Sequence, residues 1–166
     1  QNSLNSSSRA IKIDGNKSAQ QDLSKVLSVS WLTPQMDGLF IGPSKNRRRF
    51  IDRLAASFDV NHVSRLTKYN KAWGQRNFLL FEGKKEENWL LSLEKILAET
   101  GVAITATRTY LINQLNEMSN LLDTSFPKFN GFISGYTNQL LESGLAAIDL
   151  EDKIMNDAKT KRLDGD

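Results

Sequence analysis

The chain has 166 residues, 39% of them hydrophobic and 25% charged, with no cysteine and a single histidine, His62. This is the make-up of one ordinary globular core, and it excludes a disulfide framework, cysteine-based metal sites and chemistry built on several histidines. The net charge of +3 is unevenly spread: Pro43 to Phe81 holds nine cations against Asp52 and Asp59, a local +7, so the remainder carries −4. Such a block points to a polyanion, with a merely solvated basic face as the alternative.

In chain order, the first ten residues, QNSLNSSSRA, are polar and offer little to bury. They carry neither the basic region nor the apolar stretch of a targeting signal, and no apolar run reaches about 18 residues, so a cytoplasmic chain without membrane contact is expected. Ile11 and Ile13 alternate with Lys12 before Asp14-Gly15-Asn16, predicting a strand and a turn. A short helix over about 19–27 would align Leu23, Val26 and Leu27. Val29 and Trp31, alternating with serines before Pro34, predict a second strand. Met36, Leu39, Phe40 and Ile41 are expected to bury the turn that follows.

From Ser44 the signals are helical. Pro43 presets the backbone for a helix start, and Ser44 can accept a bond from a free N–H. Lys45, Arg47, Arg48 and Arg49 then crowd a first turn whose N–H groups already carry partial positive charge. At helical spacing Phe50, Ile51, Leu54 and Phe58 share a face with Arg47, while Arg48 flanks it and Arg49 points away. A half-buried Arg47 needs a carboxylate, carbonyl or phosphate partner. Arg48 and Arg49 are placed to receive an anion.

A second helix over about 61–81 groups Val63, Leu66, Trp73 and Leu80 on one side. Arg65, Lys68, Lys71 and Arg76 fall on the opposite arc, where they could track the phosphates of DNA or simply be solvated. Gly74 weakens this helix and suggests close packing or a bend there.

Leu90, Leu97, Ile104, Leu111 and Met118 recur every seven residues. They predict a helix over about 86–122, roughly 55 Å long if Gly101 does not break it, serving as an arm or as the spine of a bundle. FPKFNGFISGY reads as an extended segment, and two helices over about 137–143 and 149–163 follow. The fold class is mainly α, a helical bundle or arm domain with a few short N-terminal strands. No phosphate-binding glycine loop is present. The carboxylate pairs Glu86/Glu87 and Glu151/Asp152 stand at helix starts, where the dipole favours them. No catalytic or metal-binding residue is expected.

The stretches SVSWLTPQMDGLFIGPSKNRRRFIDRL and YNKAWGQRNFLL, then Trp89, Gly101 and Arg108, resemble the central part of the RecF family of bacterial DNA replication and repair proteins. Arg47 and Arg48 match the family's arginine pair, followed by Phe50, Ile51 and Asp52. The resemblance implies an SMC- and ABC-like ATPase whose head is interrupted by a helical arm. ATP and Mg would be held by the parent protein, which dimerises on single-stranded or gapped DNA. It would act with RecR and RecO to load the RecA recombinase and support the SOS response.

This chain has no Walker A, signature or Walker B motif. The resemblance therefore makes it an internal piece, with 1–42 the end of a head lobe and 43–166 the arm, neither catalytic nor nucleotide-bound alone. It also sets Gln35 where related ATPases carry a Q-loop glutamine, with a plain turn residue as the alternative; other family members carry glutamate there. Arg47 and Arg48 would contact an anion or the head, and Arg65, Lys68, Lys71 and Arg76 would contact DNA. The rival reading is a structural or adaptor module that binds a protein partner.

Overall fold

A computed structural model describes residues 11–18, 22, 27, 31, 33–83, 86–122, 125 and 127–164, apart from the side chains of Gln35, Asp37 and Asp164. The expected helix over 19–27 and the strand around Val29 lie outside these residues. Among the described residues five α-helices follow a small hairpin, so the fold is mainly α as the sequence predicts.

The hairpin pairs β1 (Ile11–Ile13) with β2 (Asn16–Ser18) in antiparallel register, Ile11 opposite Ser18. Asp14 and Gly15 link them at φ 50° and 82°, the left-handed pair that suits the right-handed twist of two joined strands. The expected strand and turn are thus present, and the returning strand is added. A 3-10 turn over Pro34–Gly38 comes next. Its sequel departs from expectation: Met36 and Leu39 are half-buried, but Phe40 is 73% and Ile41 92% exposed. The amides of Ile41 and Gly42 both bond back to the Gly38 carbonyl, and a turn wound that tightly cannot aim four neighbouring apolar side chains the same way.

Helix α1 spans Ser44–Ala55. Pro43 precedes it as expected, but the Ser44 hydroxyl accepts from Arg48 Nη1 at 3.0 Å rather than from a backbone N–H. Phe50, Ile51 and Leu54 are half-buried. Phe58, expected beside them, falls beyond the helix end and is largely exposed.

Helix α2 spans His62–Phe81 and α3 spans Glu87–Leu121. Gly101 does not break α3, whose 35 residues run roughly 52 Å at 1.5 Å each. It is a spine: α2 and α5 (Ala147–Asp164) lie along it, and α1 and α4 (Tyr136–Glu142) touch it more lightly. Two apolar clusters result. Ala72 and Leu79 of α2 meet Leu90 and Leu93 of α3 in one, and Val102, Leu140 and Leu150 join α3, α4 and α5 in the other. Of the heptad residues, Leu90, Ile104 and Leu111 are buried, whereas Met118 is exposed, as are Leu121 and Leu122 at the C-terminal end of the helix.

The inward face of α2 differs from the expected one. His62, Ala72 and Leu79 are buried, while Val63, Trp73 and Leu80 are exposed. Apolar periodicity misleads here because part of the buried face is polar. Gly74 has nothing near it that a methyl group would meet, so neither close packing nor a clash explains it. Gly101 does have a packing role: a Cβ there would sit 3.4 Å from Tyr69 Cε2, so the glycine lets α3 approach that ring.

Residues 127–134 have no regular secondary structure and are tied to α3. Asn116 clamps them in both directions, Nδ2 donating to the Gly131 carbonyl and Oδ1 accepting the Gly131 amide, each at 2.8 Å. The buried Asn138 then joins Thr109 of α3 to the Ile133 carbonyl. Glu151 and Asp152 lie in the second turn of α5, so they are not start-of-helix residues; Asp149 occupies the first turn. No helix among the described residues is long and apolar enough to cross a membrane.

Candidate nucleic-acid interface

Three acidic centres fasten the helices. Asp52 of α1 accepts from Arg108 of α3 in bidentate fashion, Nε at 2.7 Å and Nη2 at 2.8 Å, and lies 2.9 Å from His62 Nε2 on α2. Burial alone would raise the Asp52 carboxyl, but the bonds to His62 and Arg108 and the Arg108 charge outweigh it and hold it below the ordinary value. His62 Nδ1 is buried without a hydrogen-bond partner among the described residues. Asp59, just before α2, accepts the Asn61 amide, the Thr107 hydroxyl and Arg65 Nη1. Partial burial raises its carboxyl, and these donors together bring it below the ordinary range.

The third centre is Glu94, fully buried on α3. Its Oε1 accepts from Arg76 Nε and Arg162 Nε, both at 3.1 Å, so α2, α3 and α5 meet on one carboxylate. Arg76 also donates to the Ala158 carbonyl, and Arg162 reaches Glu87 Oε2 at 2.7 Å. The Arg162 bond lowers the Glu87 carboxyl, and the two acids raise Arg162 in turn. A buried charge with two hydrogen-bonded partners is tolerable where a lone one is not.

These contacts sort the cations of the basic block. Arg65 and Arg76, expected to face DNA, turn inward to Asp59 and Glu94. Arg47 is half-buried as expected and finds a carbonyl partner: Nη1 donates to Gly42 O at 2.8 Å and Phe40 O at 3.4 Å. Arg53 lies over the Trp31 and Phe50 rings, 4.7 and 5.6 Å from their centroids. Lys45, Arg48, Arg49, Lys68 and Lys71 are exposed and make no ion pair among the described residues. Gln35 falls in the Pro34–Gly38 turn, and its side chain is outside the described atoms.

Lys45, Arg48 and Arg49 face a groove of about 810 Å³ between α1 and α2. Tyr69 and Trp73 line its α2 side, Gly101 to Arg108 its floor, and residues 133–138 its far end. Lys68 and Lys71 are not on its lining and project from other sides of α2. A second, more apolar groove of about 490 Å³ runs between Phe40 and Phe50 on one side and Ile112, Phe129 and Phe132 on the other. No three histidine, aspartate or glutamate side chains gather as a metal site among the described residues.

The sequence could have disclosed part of this. Glu94 sits among Leu90, Leu97 and Ala98 on the apolar stripe of α3, and Arg76 lies one turn from both Ala72 and Leu79. A charge in the middle of an apolar stripe calls for a buried partner.

The fold is thus an ion-paired helical module with a basic edge that makes no ion pair among the described residues. Its sequence places it more narrowly. It is 40% identical over 149 residues to the DNA replication and repair protein RecF of Mesorhizobium japonicum, covering 88% of this chain and 39% of that protein. It is 37% identical to the Brucella suis RecF over 149 residues, 87% of this chain and 38% of that one, and 33% identical to a Rickettsia bellii RecF over 139 residues, 84% and 39%. The chain is similar to these RecF proteins over most of its own length and spans about two fifths of theirs. No family model and no solved structure matches it.

Proposed function

We propose that this chain is the helical arm of a RecF-type DNA replication and repair protein, and that it meets DNA through the cations its fold leaves unpaired. The observation that carries the reading is the division of the basic block: Arg47, Arg53, Arg65 and Arg76 have internal partners, while Lys45, Arg48, Arg49, Lys68 and Lys71 are exposed and make no ion pair among the described residues. Exposed cations not engaged by carboxylates are the ones that can neutralise phosphates and release counterions. The relatives' name, DNA replication and repair protein, supports the same direction.

Within this reading, 1–42 closes a head lobe and 43–166 forms the arm. The two bonds from Arg47 to the Phe40 and Gly42 carbonyls cross that boundary, so the arginine ties arm to head. The whole protein binds ATP with Mg in its head and engages single-stranded or gapped DNA as an ATP-dependent homodimer. It works with RecR and RecO in the cytoplasm, in recombinase loading and the SOS response. The arm relays nucleotide state to DNA.

Reversing charge at Lys68 and Lys71 tests the DNA role of α2. Affinity for DNA should fall and its salt dependence flatten, by a slope of about 1.8 if both lysines contact duplex phosphates. Unchanged affinity and slope would remove these lysines from the interface.

A second reading, an adaptor module with a protein partner, has its own observation: Phe40, Ile41 and Phe132 are each more than 70% exposed at or beside the apolar groove. Partner capture that is insensitive to salt and to DNA would favour it, because apolar contacts are not screened.

A further inference from the structure

Four cations line the groove between α1 and α2, Lys45, Arg48, Arg49 and Arg108, against one carboxylate, Asp52. Asp52 is already matched by the bidentate Arg108. The remaining three cations make no ion pair among the described residues, so the groove presents positive charge along its α1 wall.

The facing wall is aromatic. Tyr69 and Trp73 stand one helical turn apart on α2, with ring planes within 9° of parallel and centroids 6.4 Å apart. Trp73 remains 50% exposed, so its ring face on the groove is open to a stacking partner. Its neighbour Tyr69 lies close against α3 at Gly101, where a Cβ would stand 3.4 Å from the ring.

We propose that this groove takes an unpaired stretch of a DNA strand, with a base stacked on Trp73 and its backbone phosphates on Lys45, Arg48 and Arg49. The proposal rests on the DNA-binding reading above and assigns its single-strand engagement to one groove and one ring. Stacking on an exposed aromatic face accepts any base, but a base must be free of its partner strand to reach it. Phosphate contacts alone attract single and double strands alike. The groove therefore selects for unpaired DNA, while the lysines of α2 contribute attraction without selection.

The test uses this chain with a labelled oligothymidylate and a duplex of equal length, followed by anisotropy at several salt concentrations. Trp73→Ala should weaken the single strand about tenfold, the size of one lost stacked base, and change the duplex less than about twofold. Trp73→Phe should retain most of the single-strand affinity. Arg48→Gln with Arg49→Gln should weaken both and flatten the single-strand salt slope by about 1.4. Helical content by circular dichroism confirms that each variant folds. If Trp73→Ala leaves both affinities unchanged, or lowers both equally, the groove is not a stacking site, although the DNA reading survives. If the unaltered chain binds neither strand, the DNA reading fails first.

Discussion

The two arginines of α2's inward face and the cations at its exposed sides and on α1 belong to one run of sequence and have opposite fates. Arg65 and Arg76 are held by Asp59 and by the buried Glu94. Lys68 and Lys71, three residues after Arg65 and five before Arg76, are exposed and make no ion pair among the described residues. The difference lies in where carboxylates stand. Where one reaches the α2 surface, Asp59 from the turn before the helix or Glu94 from α3, an arginine becomes structural; where none does, the charge stays exposed. Net charge along a segment therefore overstates its unpaired charge.

The largest effect should come from Glu94→Ala. It strands Arg76 and Arg162 beside a small void, and breaking a buried pair in this way costs about 3–5 kcal/mol. Urea denaturation should show that loss against less than about 0.5 kcal/mol for Arg49→Ala, a surface position. Equal losses would erase the distinction between the two sets.

An intermediate effect is expected from Asp52→Asn, and it depends on pH. The native carboxyl titrates below its unfolded value of 3.8, so its contribution is complete at neutral pH and is lost as pH falls below about 4. The variant should be less stable than the parent at pH 7 by about 1.5–3 kcal/mol, the scale of hydrogen bonds to a charged group. The gap should narrow towards pH 3. A gap that is constant across that range would mean that the ionised carboxylate is not what joins α1 to α3.

The smallest effect sharpens the same contrast from the backbone. Gly74 lies mid-helix with nothing within 4 Å of where a Cβ would stand. Gly74→Ala should stabilise the chain by up to about 1 kcal/mol in thermal unfolding without altering DNA affinity. Destabilisation would show that the glycine serves a packing role after all.

How much of this was legible in the sequence follows from which residues obey simple periods. The spine of α3 was readable because Leu90, Ile104 and Leu111 repeat on one stripe and are buried. Gly101 did not interrupt it, because the cost of one glycine is small against the packing of 35 residues. The orientation of α2 was misread because His62, Arg65 and Arg76 occupy inward positions that a hydrophobic count assigns to solvent. The partners that make this possible come from Asp52, Asp59 and Glu94, and the distances between these positions in the chain hide that they meet. The apolar Phe40 and Ile41 were misplaced for the converse reason: a tight turn cannot bury every apolar residue in it.

The basic edge itself was visible as a charge imbalance, but its membership was not. Two of the four cations assigned to the α2 DNA face are in internal ion pairs, and the three on α1 share a groove with Trp73 that no linear spacing announced.

The most direct measurement is the slope of log affinity against log salt concentration for DNA binding by this chain, compared with a variant carrying Arg49→Gln, Lys68→Gln and Lys71→Gln. If unpaired cations form the DNA-binding edge, the variant should bind more weakly and lose up to about 2.7 of slope on duplex DNA, with its denaturation midpoint unchanged. An unaltered slope, with the fold intact, would contradict the account.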